Sequence, residues 1–202
     1  MLRRGVFACV VIALTGCSGM TSLPDPTREE VGHAIESLRQ SIPASVIYPS
    51  FGEAQNCRPG TMGDTPVLNC SVCAVMVRAE HSPIVGIQGV RARRGTFDLA
   101  FARALSHNQP HVVPADGSPG VWVVRAAAST FQETAARDLD GSDFAQLGLT
   151  VQRSFGGAQH YSVRRPGYIG VIPNAQILLE FLSTPEAQAM VESSVGRCDS
   201  AG

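Results

Sequence analysis

Residues 67–77 read Val67-Leu68-Asn69-Cys70-Ser71-Val72-Cys73-Ala74-Val75-Met76-Val77, and the fold turns on whether this run is a strand. It holds four valines and neither glycine nor proline, a composition suited to a pleated, buried surface. Successive side chains of a strand alternate between faces, so residues an odd number apart point opposite ways. Cys70 and Cys73 therefore face opposite sides of one sheet and take different partners. A redox Cys-x-x-Cys draws its reactivity from a helix N-terminus that lowers the thiol pKa. Here Ala74-Val75-Met76-Val77 carries the strand onward, which argues against that chemistry. Cys57, Cys70, Cys73 and His81 have the residue types of a zinc site but lack a second close pair.

The remaining cysteines take their meaning from the N-terminus. Arg3 and Arg4 precede an uncharged apolar run from Gly5 to Leu14. That run is too short to span a bilayer and fits a signal peptide's apolar region. It ends in Leu14-Thr15-Gly16-Cys17. The arrangement resembles the lipobox of bacterial lipoproteins, which implies cleavage before Cys17, diacylglycerol on its thiol and acylation of the new amino terminus. Several acyl chains anchor a protein firmly where one binds only marginally. On this reading residues 1–16 are a lipoprotein signal peptide, 17–26 a lipidated tether and 27–202 a single globular α+β domain. Ser18 resembles the residue that sorts lipoproteins of diderm bacteria to the outer membrane. The expected location is the cell envelope, facing the periplasm.

Cys9 leaves with the signal and Cys17 takes the lipid, so Cys57, Cys70, Cys73 and Cys198 remain. An even count in an exported chain implies two disulfides, with three possible pairings. Strand alternation favours pairing one of Cys70 and Cys73 with Cys57 across a short loop, and the other with Cys198. Arg3 and Arg4 are two of the 16 basic residues, so the mature chain carries 14 against 17 acidic ones. With no clustered basic footprint, nucleic acid is not an expected partner.

Asp25-Pro26-Thr27 opens a helix, with Glu30 completing a Thr-x-x-Glu capping box. Val31, Ile35, Leu38 and Ile42 recur at helical spacing up to Pro43. Residues 45–51 read as a strand and 52–65 as a Gly-, Pro- and Asn-containing loop around Cys57. Residues 84–91 are weakly strand-like. Phe97, Ala100, Phe101, Ala104 and Leu105 form one stripe of a helix capped by Thr96, and residues 130–139 form a short helix. His111 to Val113 and Val121 to Val124 are expected strands. Leu149 to Phe155 and His160 to Arg165 form a hairpin around Gly156-Gly157, followed by a strand from Tyr168 to Ile172. Asn174 and Thr184-Pro185 cap two final helices, the first burying Ile177, Leu178, Phe181 and Leu182. The sum is an α+β fold: a mostly antiparallel sheet packed with amphipathic helices and stapled by two disulfides.

Candidate chemistry is sparse. Asp138, Asp140 and Asp143 sit at alternate or near-alternate positions around Gly141, as oxygen ligands of Ca²⁺ do. The closing Glu is missing, so an Asp-Gly turn with a capped helical turn is the simpler reading, and no metal is expected. His107 and His111 have helical ligand spacing, but Pro110 between them breaks that helix. No nucleophile elbow, phosphate loop or free thiol is present once two disulfides form. No catalytic residue or cofactor is expected. Arg91, Arg93 and Arg94 read as a solvated face that could touch anionic lipid or peptidoglycan.

Residues 97–165, with FDLAFARAL, VVPADG, GVWVVRAA and LTVQRSFGGAQHYSVRRPG in order, are similar in layout to small lipoproteins of conjugative, type IV-like transfer systems. The segment LEFLSTPEAQAMV resembles the closing helices of periplasmic solute-binding proteins, whose two-lobed architecture needs a longer chain. The first resemblance implies an accessory subunit of an envelope-spanning transfer or secretion assembly. The expected function is non-enzymatic protein–protein binding, through Phe155, His160, Tyr161, Arg164 and Arg165 around the hairpin. The alternative is a ligand-binding or inhibitor lipoprotein that captures a small molecule, a glycan or an exported toxin. A deep apolar pocket would favour that alternative; an unpaired sheet edge or exposed apolar patch would favour the assembly subunit.

Overall fold

The computed structural model describes residues 25–36, 43–114, 120–127, 131–154, 156–165 and 168–198, with the backbone alone at residues 126, 127, 165 and 168. A short helix, α1 (Arg28–Glu36), leads into three very long strands, β1 (Val46–Met62), β2 (Thr65–Ser82) and β3 (Gly86–Ala104). β4 (Val121–Ala127) and β5 (Gln132–Asp138) both pair with β3, at residues 99–104 and 91–96 respectively. They therefore lie in line along one edge of it, and the sheet runs β1-β2-β3 and then β4 with β5. After α2 (Gly141–Gln146) comes a second antiparallel sheet of β6 (Leu149–Arg153), β7 (Gln159–Arg165) and β8 (Tyr168–Ile172), in that order. Two helices, α3 (Ala175–Leu182) and α4 (Pro185–Val195), close the fold. The architecture is mostly antiparallel sheet with helices and two disulfides, an α+β arrangement.

Alternation along β2 divides the interior between two faces. Cys70 and Val72 join Leu99, Phe101, Trp122 and Val124 in a cluster sealed by Val31, Ala34 and Ile35 of α1. Val75, Val77 and Ala79 point the other way, with Val90 and Ala92, into a cluster completed by the small sheet, α3 and α4. The disulfides follow the faces: Cys70 is bonded to Cys57, and Cys73 to Cys198. The second bond ties the described C-terminus to the sheet, where Arg28 Nη2 also donates to the Cys198 carbonyl at 2.9 Å.

Helix α1 begins as its sequence dictates. The Glu30 amide donates to Thr27 Oγ1 at 3.3 Å, and Glu30 Oε2 accepts from the Thr27 amide at 3.0 Å. Nine residues are too few to hold a helix in water. Burial of Val31 and Ile35 against the sheet contributes about 1.5–3 kcal/mol each. Leu38 and Ile42 lie outside the described residues.

Four expectations are corrected. Residues 52–62 are strand, not loop. β1 accommodates Pro49, Gly52 and Asn56 through register shifts at residues 47–50, 51–54 and 55–58, with Asn56 in the left-handed region at φ 52°. As an edge strand it tolerates proline, since its outer groups have no ladder partner. Residues 96–104, expected as helix, belong to β3. Both faces are covered there, Leu99 and Phe101 on one side and Ala100, Ala102 and Ala104 on the other. A strand buried on both faces loses its two-residue alternation and can mimic a helical stripe. Residues 132–138, also expected as helix, form β5, whose pairing with β3 is reinforced by Arg93–Glu133 and Arg91–Asp138. Non-local pairing overrides local propensity. His111 to Val113 is not a strand either: Val112 and Val113 are exposed in the turn after β3.

The C-terminal half follows its signals. Asn174 Oδ1 accepts from the Ile177 amide at 3.0 Å and caps α3, while Pro185 begins α4 after Thr184, which takes the N-cap position but, contrary to expectation, makes no capping hydrogen bond with its side chain. Leu178, Leu179 and Leu182 are buried. Ile177, expected inside, is 42% exposed, because Leu179 takes the inward position instead.

Candidate edge-strand binding site

The hairpin expected around Gly156-Gly157 is β6–β7. Both glycines sit at positive φ, 98° and 87°, a region L side chains enter only under strain. Register places Leu149 opposite Val163 and Val151 opposite Tyr161, with Tyr161 in turn opposite Ile172 of β8. These side chains form the inner face and pack on the cluster shared with β2 and β3. By alternation Thr150, Gln152, His160, Ser162, Arg164, Ile169 and Val171 form the outer face.

This placement sorts the expected binding residues. His160 and Arg164 are exposed on the outer face. Tyr161 is corrected: it is wholly buried, its ring edge-on to Phe144 at 5.1 Å and its hydroxyl donating to Gln159 Oε1. Burial pushes its pKa up to about 12, with Arg153 opposing the shift. Phe155 and the Arg165 side chain lie outside the described residues, as does Cys17.

The residues that stand out most were not among those expected from the sequence. Ile169 is 80% and Val171 69% exposed, both on β8, which among the described strands is hydrogen-bonded to β7 alone. Its register with β7 runs through five pairs without a bulge, and Tyr168-Ile169-Gly170-Val171-Ile172 contains no charge and no proline. Bulges, charges and prolines are what edge strands ordinarily carry to discourage pairing with another chain. The signal for β8 was legible as a β-branched strand after Pro166-Gly167, but not its place at the end of a sheet.

The other candidates are engaged within the fold. Asp140 Oδ1 accepts from the Ser142 hydroxyl and amide at 2.5 and 2.8 Å, and Asp143 Oδ2 accepts from the Asp140 amide at 2.9 Å. This is a capping box on α2. The Ser142 hydroxyl, then the backbone amides, hold the Asp140 carboxyl below its usual pKa. Asp143 is buried and paired with Arg137 at 3.1 Å. Among the described residues, no three His, Cys, Asp or Glu side chains gather as a ligand set. His107 and His111 lie apart in the turn after β3. The first contacts the His33 ring at 5.8 Å, and the second accepts at Nδ1 from Arg125 at 2.7 Å. Arg91 and Arg93 pair with β5, and Arg94 Nη1 donates to the Arg197 carbonyl at 3.4 Å. No family model, curated protein or solved structure matches the chain.

Proposed function

We propose that this chain is a lipid-anchored envelope protein, attached at Cys17, that works by binding another protein through the outer face and open edge of β8. The observation that carries this reading is the unguarded edge itself. An edge that pairs on one side only among the described strands, flanked by Ile169 and Val171, suits an incoming strand, which gains hydrogen bonds from the backbone and specificity from alternate side chains. Arg164, opposite Ile169 in the register, adds a residue type that dominates interface energetics. The two disulfides are compatible with an extracytoplasmic location. Among the described residues no helix is long and apolar enough to cross a membrane; the proposed lipid attachment rests on the Leu14-Thr15-Gly16-Cys17 sequence. The finer version is an accessory subunit of an envelope-spanning transfer or secretion assembly.

A photo-crosslinker at Ile169 in intact envelopes tests the binding surface. The expected result is a discrete adduct that Val171→Lys eliminates while the fold persists. An adduct unaffected by Val171→Lys would place the interface elsewhere. Cys17→Ala tests the anchor separately: the protein should leave the membrane fraction and lose lipid labelling.

A further inference from the structure

The small sheet differs in charge from the rest of the chain. The whole sequence holds 16 basic and 17 acidic residues. Residues 148–173, which contain β6, β7 and β8, hold three arginines, one histidine and neither aspartate nor glutamate. Arg153 lies by alternation on the inner side, at a cleft that Glu80, Asp138 and Asp140 also line. His160 and Arg164 stand exposed on the outer face, and among the described residues neither is in an ion pair. Of the acids, only Asp116 and Asp199 lie outside the described residues, and neither belongs to residues 148–173.

The register fixes what a strand added to β8 would meet. Arg164 of β7 stands opposite Ile169 of β8, and the neutral Ser162 opposite Val171. Neighbouring strands lie about 4.8 Å apart, so the added strand would run about 10 Å from β7. An arginine and a carboxylate reaching toward each other over Ile169 span that distance. The arginine stem can lie along apolar surface while its charged head stays in water. Beside Val171, with Ser162 behind it, a β-branched side chain makes the better cross-strand pair. We propose, on the reading that β8 is the binding edge, that its partner is an acidic strand. On one face that strand carries a carboxylate beside Ile169 and, two residues along, a β-branched side chain beside Val171.

Two fluorescein-labelled peptides of alternating threonine and valine test this, one with glutamate and the other with lysine in place of its central valine. Fluorescence anisotropy follows their binding to the full chain in neutral detergent micelles. The glutamate peptide should bind saturably and about fivefold or more tighter than the lysine peptide at low salt, with the preference fading as salt is raised. Arg164→Gln should abolish the preference and Arg164→Glu should reverse it. Arg164 is exposed, so both variants should keep the wild-type melting temperature. Equal affinity for the two peptides, no saturable binding of either, or a preference that both folded variants retain would overturn the proposal. So would Arg164-dependent binding of phosphatidylglycerol vesicles without a peptide preference, since the arginine would then serve a lipid surface. In each of these cases an adduct at Ile169 in intact envelopes would leave β8 as the binding edge and remove only the acidic partner. Absence of that adduct would remove the edge itself.

Discussion

β1 and β8 both end a sheet with one hydrogen-bonded neighbour, yet they are built from opposite materials. β1 is 17 residues long and interrupted by three register shifts. It carries Pro49 and Pro59 and exposes Glu53 and Arg58. It is also stapled to β2 through Cys57–Cys70. Close behind it, Gly52 lies so near the Cys73–Cys198 bridge that an added Cβ would stand 3.2 Å from the Cys198 carbonyl oxygen and 3.4 Å from Cys73 Cβ. β8 is short, regular, uncharged and unstapled. Bulges, prolines and charges protect an edge from other chains. Among the described residues such devices stand on β1 and none stands on β8, which is the contrast the proposed binding edge rests on.

The largest test of this contrast removes the staple behind β1. Cys73→Ala with Cys198→Ala opens a loop with a sequence separation of 125. From chain entropy a loss of about 4–5 kcal/mol is expected, and a smaller loss of about 3 kcal/mol for opening Cys57–Cys70 with its separation of 13. Denaturant midpoints measure both. Hydrogen exchange should rise along β1 and leave β8 as it was. Equal loosening of the two edges would break the comparison, since the staple would then serve the whole molecule rather than one edge.

Next comes Tyr161, on the inner face of the strand that holds β8. Its folded pKa of about 12 lies above the unfolded value near 10. The stability it contributes is therefore complete below about pH 10 and is lost as pH rises toward about 12, by about 2 kcal/mol. Tyr161→Phe should abolish that alkaline loss. Stability measured near pH 8 and again near pH 11.5 decides it. An unchanged pH profile would mean that the ring is not sealed beneath the small sheet.

The smallest effect is expected where the edge is open. Val171→Lys should change stability by no more than about 0.5 kcal/mol, as a surface substitution does, because its side chain faces outward. A loss of several kcal/mol would show that Val171 packs within the fold, and the contrast with β1 would fail.

Features carried by a few neighbouring residues are legible in the sequence. The Thr27–Glu30 box, the hairpin at Gly156-Gly157, the Asn174 cap and the opposed faces of Cys70 and Cys73 each depend on geometry within a few bonds. Residues 96–104 and 132–138 are not legible in that way. Ala, Phe, Arg and Glu there favour or tolerate helix locally, and their strand state rests on partners distant along the chain. Ile169 and Val171 are visible as strand residues, but their exposure depends on no described element packing over the outer face of their sheet.

The sequence by itself determined the alternation of β2 and with it the separation of the cysteine partners, since a strand has only two faces. It also determined where helices α1 and α3 begin, because a cap is a contact between residues three apart. Only the tertiary structure decided that β1 is one bulged edge strand, that β3 is buried on both faces, and that Tyr161 points inward while Ile169 and Val171 remain outside. Those outcomes depend on what packs above and beside each strand. Burial and non-local pairing outweigh a local helical preference of a few tenths of a kcal/mol per residue.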